Sequence, residues 1–153
     1  MKSYQGSLVL EAPPQVTWQF VTDPEKIGAC MPDVVGYSVL DSEHLMAKVR
    51  VGVGPIRAVF EMAIALVGNV AEGRARMEVQ GTGMGNGIQM ISEMSIEPKS
   101  ESADQTLLQW SADVAVSGPL ATLGGRVLEN QVKKTTEKVF ENIRQGIASS
   151  LAR

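Results

Sequence analysis

Apolar side chains along this chain follow two different periods, and the points where the period switches divide it into elements. Residues 4 to 10 alternate Tyr4, Gly6, Leu8 and Leu10 against Gln5, Ser7 and Val9, the pattern of a half-buried strand. In the following APPQVTWQFVTDPEKIGACMP, Val16 and Phe20 stand four apart and Pro14 suits a first helical turn. Asp23 then Pro24 reads as an N-cap with proline at the first helical position. Two short helices are expected there, broken at Asp23 and ended by Pro32.

Alternation returns at residue 34 and lasts to about residue 117, with turn residues at hairpin spacing, which predicts a six-stranded antiparallel meander. Leu45, Ala47, Val49, Val51 and Val53 oppose Met46, Lys48 and Arg50. After GVGP, Ile56, Ala58, Phe60, Met62, Ile64 and Leu66 oppose Arg57 and Glu61. VAEG turns into Ala75, Met77 and Val79 opposite Arg74, Arg76 and Glu78, and GTGMGNG turns into Ile88, Met90, Met94 and Ile96. Asn86-Gly87 reads as the tight turn of that hairpin. A polar loop, EPKSESADQ, leads to Leu108, Trp110, Ala112, Val114 and Val116. Beyond SGP, three- and four-residue steps from Leu120 and Leu123 through Val127, Leu128, Val132, Val139, Phe140, Ile143 and Ile147 to Leu151 predict one long amphipathic helix. A strand, two short helices, a meander and a last helix make an α+β domain. The order matches the helix-grip fold, a curved antiparallel sheet of about seven strands wrapped around a long C-terminal helix.

Composition narrows the function classes. With 153 residues the chain reads as one domain, residues 1–153, large enough to bury about 70% of its unfolded surface. A net charge of −3 gives no global field for nucleic acid or an anionic lipid surface. The start has no signal-like apolar run and no segment approaches a membrane span, so a soluble, cytoplasmic protein is expected. Cys30 is the only cysteine, which excludes an internal disulfide.

The wording of several stretches resembles the CoxG-like family of carbon monoxide dehydrogenase subunits, within the wider superfamily of START and birch-pollen-allergen (Bet v 1-like, SRPBCC) folds. They are DPEKIGACMPD, VRVGVGPIRAVFEMAIAL, GTGMGNG, TLLQWSADVAVSGPLATLGGRVL and KKTTEKVFENI, which together span nearly the whole chain. The Gly-Pro turn and SGPLATLGGR are the most specific. Family members often read Pro-Gly-Cys where this chain has Pro32, Asp33 and Val34, and some carry a C-terminal membrane-anchoring tail, whereas this chain stops at Arg153. The resemblance implies a non-enzymatic accessory to a molybdenum-containing carbon monoxide dehydrogenase or related hydroxylase. The role would lie in its maturation, membrane recruitment or quinone coupling. It also implies a hydrophobic small molecule, quinone or lipid-like, held between sheet and last helix, with at most peripheral membrane contact and no nucleic acid.

Candidate residues follow from the apolar phase. Phe60, Met62, Met77, Met90, Trp110, Leu123 and Val127 are expected to touch that ligand, since methionines adapt to irregular shapes and a Trp face stacks on a planar ring. Taken singly, each reads first as core filler, and it is the set that points to a cavity. Gly124 and Gly125 in the first turns of the last helix serve either a mobile cavity mouth or close packing on the sheet. Lys48, Arg50, Arg57, Arg74 and Arg76 lie on the polar phase of three strands, as a solvated face or as a docking patch for an acidic partner. GTGMGNG precedes a strand, not a helix N-terminus, and so lacks phosphate-binding context. His44, the only histidine, reads as an exposed turn residue, and no metal, cofactor or catalytic set is expected. Two other readings remain: a cyclase or dehydratase of the same fold, which needs Tyr4, Ser92 or Asn130 to converge inside the cavity, and a protein-docking module with a filled interior.

Overall fold

The computed structural model describes residues 2–99 and 102–151. Strand β1 spans Lys2–Leu10, helix α1 Pro14–Val21 and helix α2 Pro24–Cys30. β1 starts two residues before the expected Tyr4, because Lys2 and Ser3 still pair with Val114 and Asp113. The Asp23 carboxylate accepts the Glu25 N–H at 3.0 Å, with Pro24 behind it, so α2 begins at the expected cap.

Six strands follow in the expected meander: β2 (Val34–Val39), β3 (His44–Val53), β4 (Ile56–Asn69), β5 (Arg74–Gly83), β6 (Asn86–Lys99) and β7 (Ser102–Ser117). The sheet order is β1-β7-β6-β5-β4-β3-β2, antiparallel throughout. The α1–α2 pair therefore carries the chain from one edge of the sheet to the other.

Three further boundaries differ from the sequence reading. The hairpin between β5 and β6 turns at Met84 and Gly85, whose φ angles are 49° and 80°, while Asn86 is already in β6. Both central residues of that turn need positive φ, and here Met84 and Gly85 supply it. The polar stretch EPKSESADQ is mostly ladder, since β6 runs to Lys99 and β7 starts at Ser102; residues 100 and 101 lie outside the described part. The last helix does not begin at Leu120. A 3-10 turn, Pro119–Leu123, comes first, and α3 spans Gly125–Leu151.

Buried apolar side chains gather in two clusters. One joins α1 and the second half of α3 to the sheet through Phe20, Val21, Leu108, Met94, Ile143 and Ile147. The other lies on β3, β4 and β5 around Leu45, Phe60, Ile64, Leu66, Val79 and Leu120. The second half of α3 is held further by the Asn142 amide donating to the Cys30 carbonyl at 2.9 Å and by a tilted Trp110–Phe140 pair with ring centroids 5.6 Å apart. Gly146 gives room for the Phe20 ring.

Candidate functional site

Register fixes what the inner face of the sheet presents to α3. Val49 pairs with Phe60, Met62 with Gly81, Met77 with Ser92, and Met90 with Val114. Side-chain-free Gly81 and Gly83 let Met62 and Phe60 lie down on β5, since a Cβ at Gly83 would stand 2.9 Å from the Phe60 ring. Phe60 and Met62 are consequently buried in the second cluster.

Toward β6 and β7 the packing loosens. Met77, Ile88, Met90 and Val116 are only half-buried against the second cluster, and Trp110 only half-buried against the first. On α3, Val132 stands eleven residues before buried Ile143, three helical turns away on the same stripe. It too is only half-buried, as are Thr136 and Val139. Among the described residues, Val114 and Val132 belong to neither cluster. Between the two apolar clusters runs an uncharged belt of sheet and helix side chains, in which Ala112 and Ser92 are buried and Tyr4, Met77, Met90, Val114 and Val132 are only half-buried. At its β1 edge Lys2 meets Glu129 of α3 at 3.4 Å, both well exposed.

Three chain segments converge where α3 begins. They are the β3–β4 turn at Gly54 and Pro55, the β5–β6 turn at Met84 and Gly85, and residues 118–124. Leu123 lies beside Gly54, and a methyl at Gly118 would meet the Gly85 carbonyl. None of the three segments carries a charge, and every charged side chain within four residues of them is basic: Arg50, Arg57 and Arg126. Met84 at the tip is 76% exposed.

The expected residues fall in several places. Met77, Met90, Trp110 and Leu123 border the belt or its rim, whereas Phe60 and Met62 lie deep in the second cluster. Val127 is 41% exposed; the helix residue packed toward the sheet is Leu128, one position on. Gly124 precedes α3 with φ of 92°, and Gly125 is its first residue, so only Gly124 has a special conformation. The five basic residues do share the outer sheet face but not one band. Arg57 sits at the start of β4, whereas Arg76 pairs with Val67 ten residues along, roughly 33 Å away at strand rise. Arg57 donates to the Gly54 and Ile56 carbonyls, and Arg76 is held by Glu78 and Glu93 at 2.9 and 3.2 Å, which raises its pKa.

Of the polar groups a catalytic reading needs, Ser92 donates to the Ser111 carbonyl, Tyr4 is half-buried on β1, and Asn130 is exposed on α3. His44 is exposed and bonded to Asp41 at 2.8 Å, an interaction that, after a backbone N–H from Glu43, lowers the Asp41 pKa. Among the described residues no three potential metal ligands gather, and no helix is long and apolar enough to cross a membrane. Elsewhere, on the outer face, Lys48, Val59, Glu61, Thr82 and Met84 line an open depression of about 490 Å³. A second, of about 480 Å³, is lined by outer-face Arg74, Arg76, Glu93 and Gln109 together with Met94 and Trp110.

The ligand candidates drawn from the sequence left out Val132, Thr136, Leu128 and Asn86, although Leu128 and Val132 stand on the expected apolar stripe of the last helix. The first three share the helical stripe of Ile143, a signal that spacing from Val139 and Ile143 could have ranked above Val127. Asn86 gave only a turn signal.

A family model for CoxG, a subunit of carbon monoxide dehydrogenase, matches residues 6–148. None of the curated proteins matches the chain. Among solved structures, a conserved protein from Geobacillus kaustophilus superposes with a TM-score of 0.87 at 19% identity, covering 97% of each chain. A START superfamily protein from Mycobacterium smegmatis gives 0.72 at 20% identity over 96% of this chain and 97% of that one. The Zhui aromatase/cyclase from Streptomyces sp. R1128 gives 0.69 at 13% identity over 98% and 95%. At such identities the structures speak for the fold alone, a START-like helix-grip domain, as expected from the sequence.

Proposed function

Because this chain belongs to the CoxG family of carbon monoxide dehydrogenase subunits, we propose that it is a non-catalytic accessory protein. It carries a neutral hydrophobic molecule, quinone or lipid-like, between sheet and α3 for a carbon monoxide dehydrogenase-type enzyme. The observation that carries this reading is the division of the interior. Between the two apolar clusters, Met77 and Met90 are only half-buried against the second, and half-buried Val114 on the sheet and Val132 on α3 belong to neither. A domain of this length normally closes one continuous core. Apolar side chains left half-buried between sheet and helix are what a carrier needs, because an apolar guest completes their burial at about 25 cal/mol per Å².

The chemistry of the belt bears on the guest. Its side chains are thioether, aliphatic and indole, with the hydroxyls of Tyr4, Ser92 and Thr136 and no charge, so an ionised headgroup there would lose hydration without a charged partner. A planar neutral ring beside Trp110 fits better, since Trp110 already stacks obliquely on Phe140. The cyclase reading asks for polar groups that converge: Ser92 is committed to a backbone carbonyl and Asn130 is exposed, which leaves half-buried Tyr4, in the same cross-strand row as Ser92, as its one remaining candidate.

The test is a titration with decylubiquinone, following Trp110 fluorescence in a Trp18→Phe background. Saturable 1:1 quenching that weakens when Met90→Asp places a charge in the belt is expected. Absence of saturable quenching, or quenching unchanged by Met90→Asp, overturns the reading.

A further inference from the structure

The 3-10 turn Pro119–Leu123 is bounded by Gly118, at φ 81° and ψ −161°, and by Gly124, at φ 92° and ψ 155°. Both conformations are open essentially to glycine alone. Between them the turn closes on a bond from the Ala121 N–H to the Gly118 carbonyl at 3.0 Å. From it Leu120, 3% exposed, and Leu123 drop onto the second apolar cluster.

The Asn86 side chain holds this turn down. Its Oδ1 accepts the Leu120 N–H at 2.6 Å, and its Nδ2 donates to the Gly83 carbonyl at 3.0 Å. The amide is 5% exposed and so nearly dry. It joins the end of β5 to the segment that leads into α3. The β5–β6 turn has its own two positive-φ residues in Met84 and Gly85, which leaves the Asn86 acceptor free to reach across.

We propose that Pro119–Leu123 is a hinged strap over the mouth of the cavity, with Gly118 and Gly124 as hinges, Leu120 as plug and Asn86 as latch. This rests on reading the interior as a ligand cavity. Hinge residues absorb the backbone change of a lid motion, and two glycines do so without Cβ clashes. Opening breaks the latch bond, which water can replace, and lifts Leu120 off the sheet cluster. Passage of a guest requires opening, whereas its affinity depends on the closed interior. Loosening the latch therefore speeds binding and release together and leaves affinity nearly unchanged.

Stopped-flow fluorescence with Nile red, a neutral apolar probe, reads both rates. Asn86→Ala orphans the Leu120 N–H and is expected to raise both by about tenfold, and Leu120→Ala is expected to raise them too. Thr106→Val, which removes a buried hydroxyl bonded to the Ala12 carbonyl at the far cluster, is expected to lower stability without changing either rate. Unchanged rates in Asn86→Ala, or equal acceleration in Thr106→Val, overturn the strap. Hydrogen exchange on the unaltered protein decides the same point should Asn86→Ala fail to fold. The Leu120 amide is expected to exchange through a local opening well before the β6 amides, and exchange only with global unfolding refutes the hinge. If Nile red does not bind, the cavity reading falls while hydrogen exchange still decides the strap.

Discussion

Replacing Gly124 and Gly125 one at a time by alanine tests the hinge with identical chemistry at adjacent positions. At Gly124 a Cβ would meet nothing within 4 Å, so no packing penalty enters; the cost is the backbone, φ 92° and ψ 155°. Holding a residue with a Cβ there costs about 1–3 kcal/mol. At Gly125 the nearest atom to a Cβ would be the Lys2 ammonium at 3.9 Å, and the residue opens α3 with no positive φ. Alanine there is expected to gain about 0.5–1 kcal/mol from lost unfolded-state freedom and better helix propensity. Urea unfolding followed by tryptophan fluorescence should show midpoints moving in opposite directions at unchanged slope. In thermal unfolding, each kcal/mol corresponds to about 2–4 °C in a domain of this size. Two shifts of the same sign would refute the assignment of the second hinge to Gly124 rather than Gly125. The double variant is expected to be destabilised, because the strain at Gly124 outweighs the gain at Gly125.

Other perturbations follow from the same geometry. Gly6→Ala sets a Cβ 2.9 Å from the Trp110 indole and is expected to cost about 1–3 kcal/mol by overpacking, with a changed near-ultraviolet tryptophan signal; a neutral effect would show that the Trp110–Phe140 pair is loosely held. Cys30 is buried, and desolvation raises its thiol pKa above the usual 9.0. The native state then favours the thiol, so this contribution is full below about pH 9 and is lost as pH rises through the folded value. A disulfide reagent at pH 8 should label Cys30 far more slowly than a free thiol, and equal rates would contradict its burial. Arg74→Gln with Arg76→Gln should leave the unfolding midpoint unchanged, since both side chains are exposed and the ion pairs of Arg76 are screened; a clear loss would mean the outer face contributes to folding.

Element types were legible because period and partner agree. The alternation of Leu45 to Val53 and of Ile56 to Leu66 selects one face, and a one-residue slip would expose all of it. The Asp23-Pro24 cap and the glycine-proline turn are local chemistry and carried over directly. What eluded the sequence depends on contacts between distant segments. Asn86 looks like a turn residue because Asn-Gly is a turn dipeptide, yet its amide is recruited by Leu120, thirty-four positions away. Gly118 and Gly124 break the helix that apolar spacing continued through Leu120 and Leu123, and spacing cannot register a positive φ. Val127 fitted an i, i+4 step from Leu123, but with that step interrupted at Gly124 the stripe restarts in α3 and Leu128 takes the inward place. The basic residues share a face by alternation, while their separation along β4 and β5 follows only from the register of the pairing.

Native mass spectrometry of the folded protein as purified, with the guest then identified after extraction into organic solvent, tests the central claim most directly. The account predicts a single neutral, apolar molecule bound 1:1, displaced by decylubiquinone and depleted in Met90→Asp. A protein that carries only its own mass, and that takes up no decylubiquinone when it is supplied in excess, would contradict it.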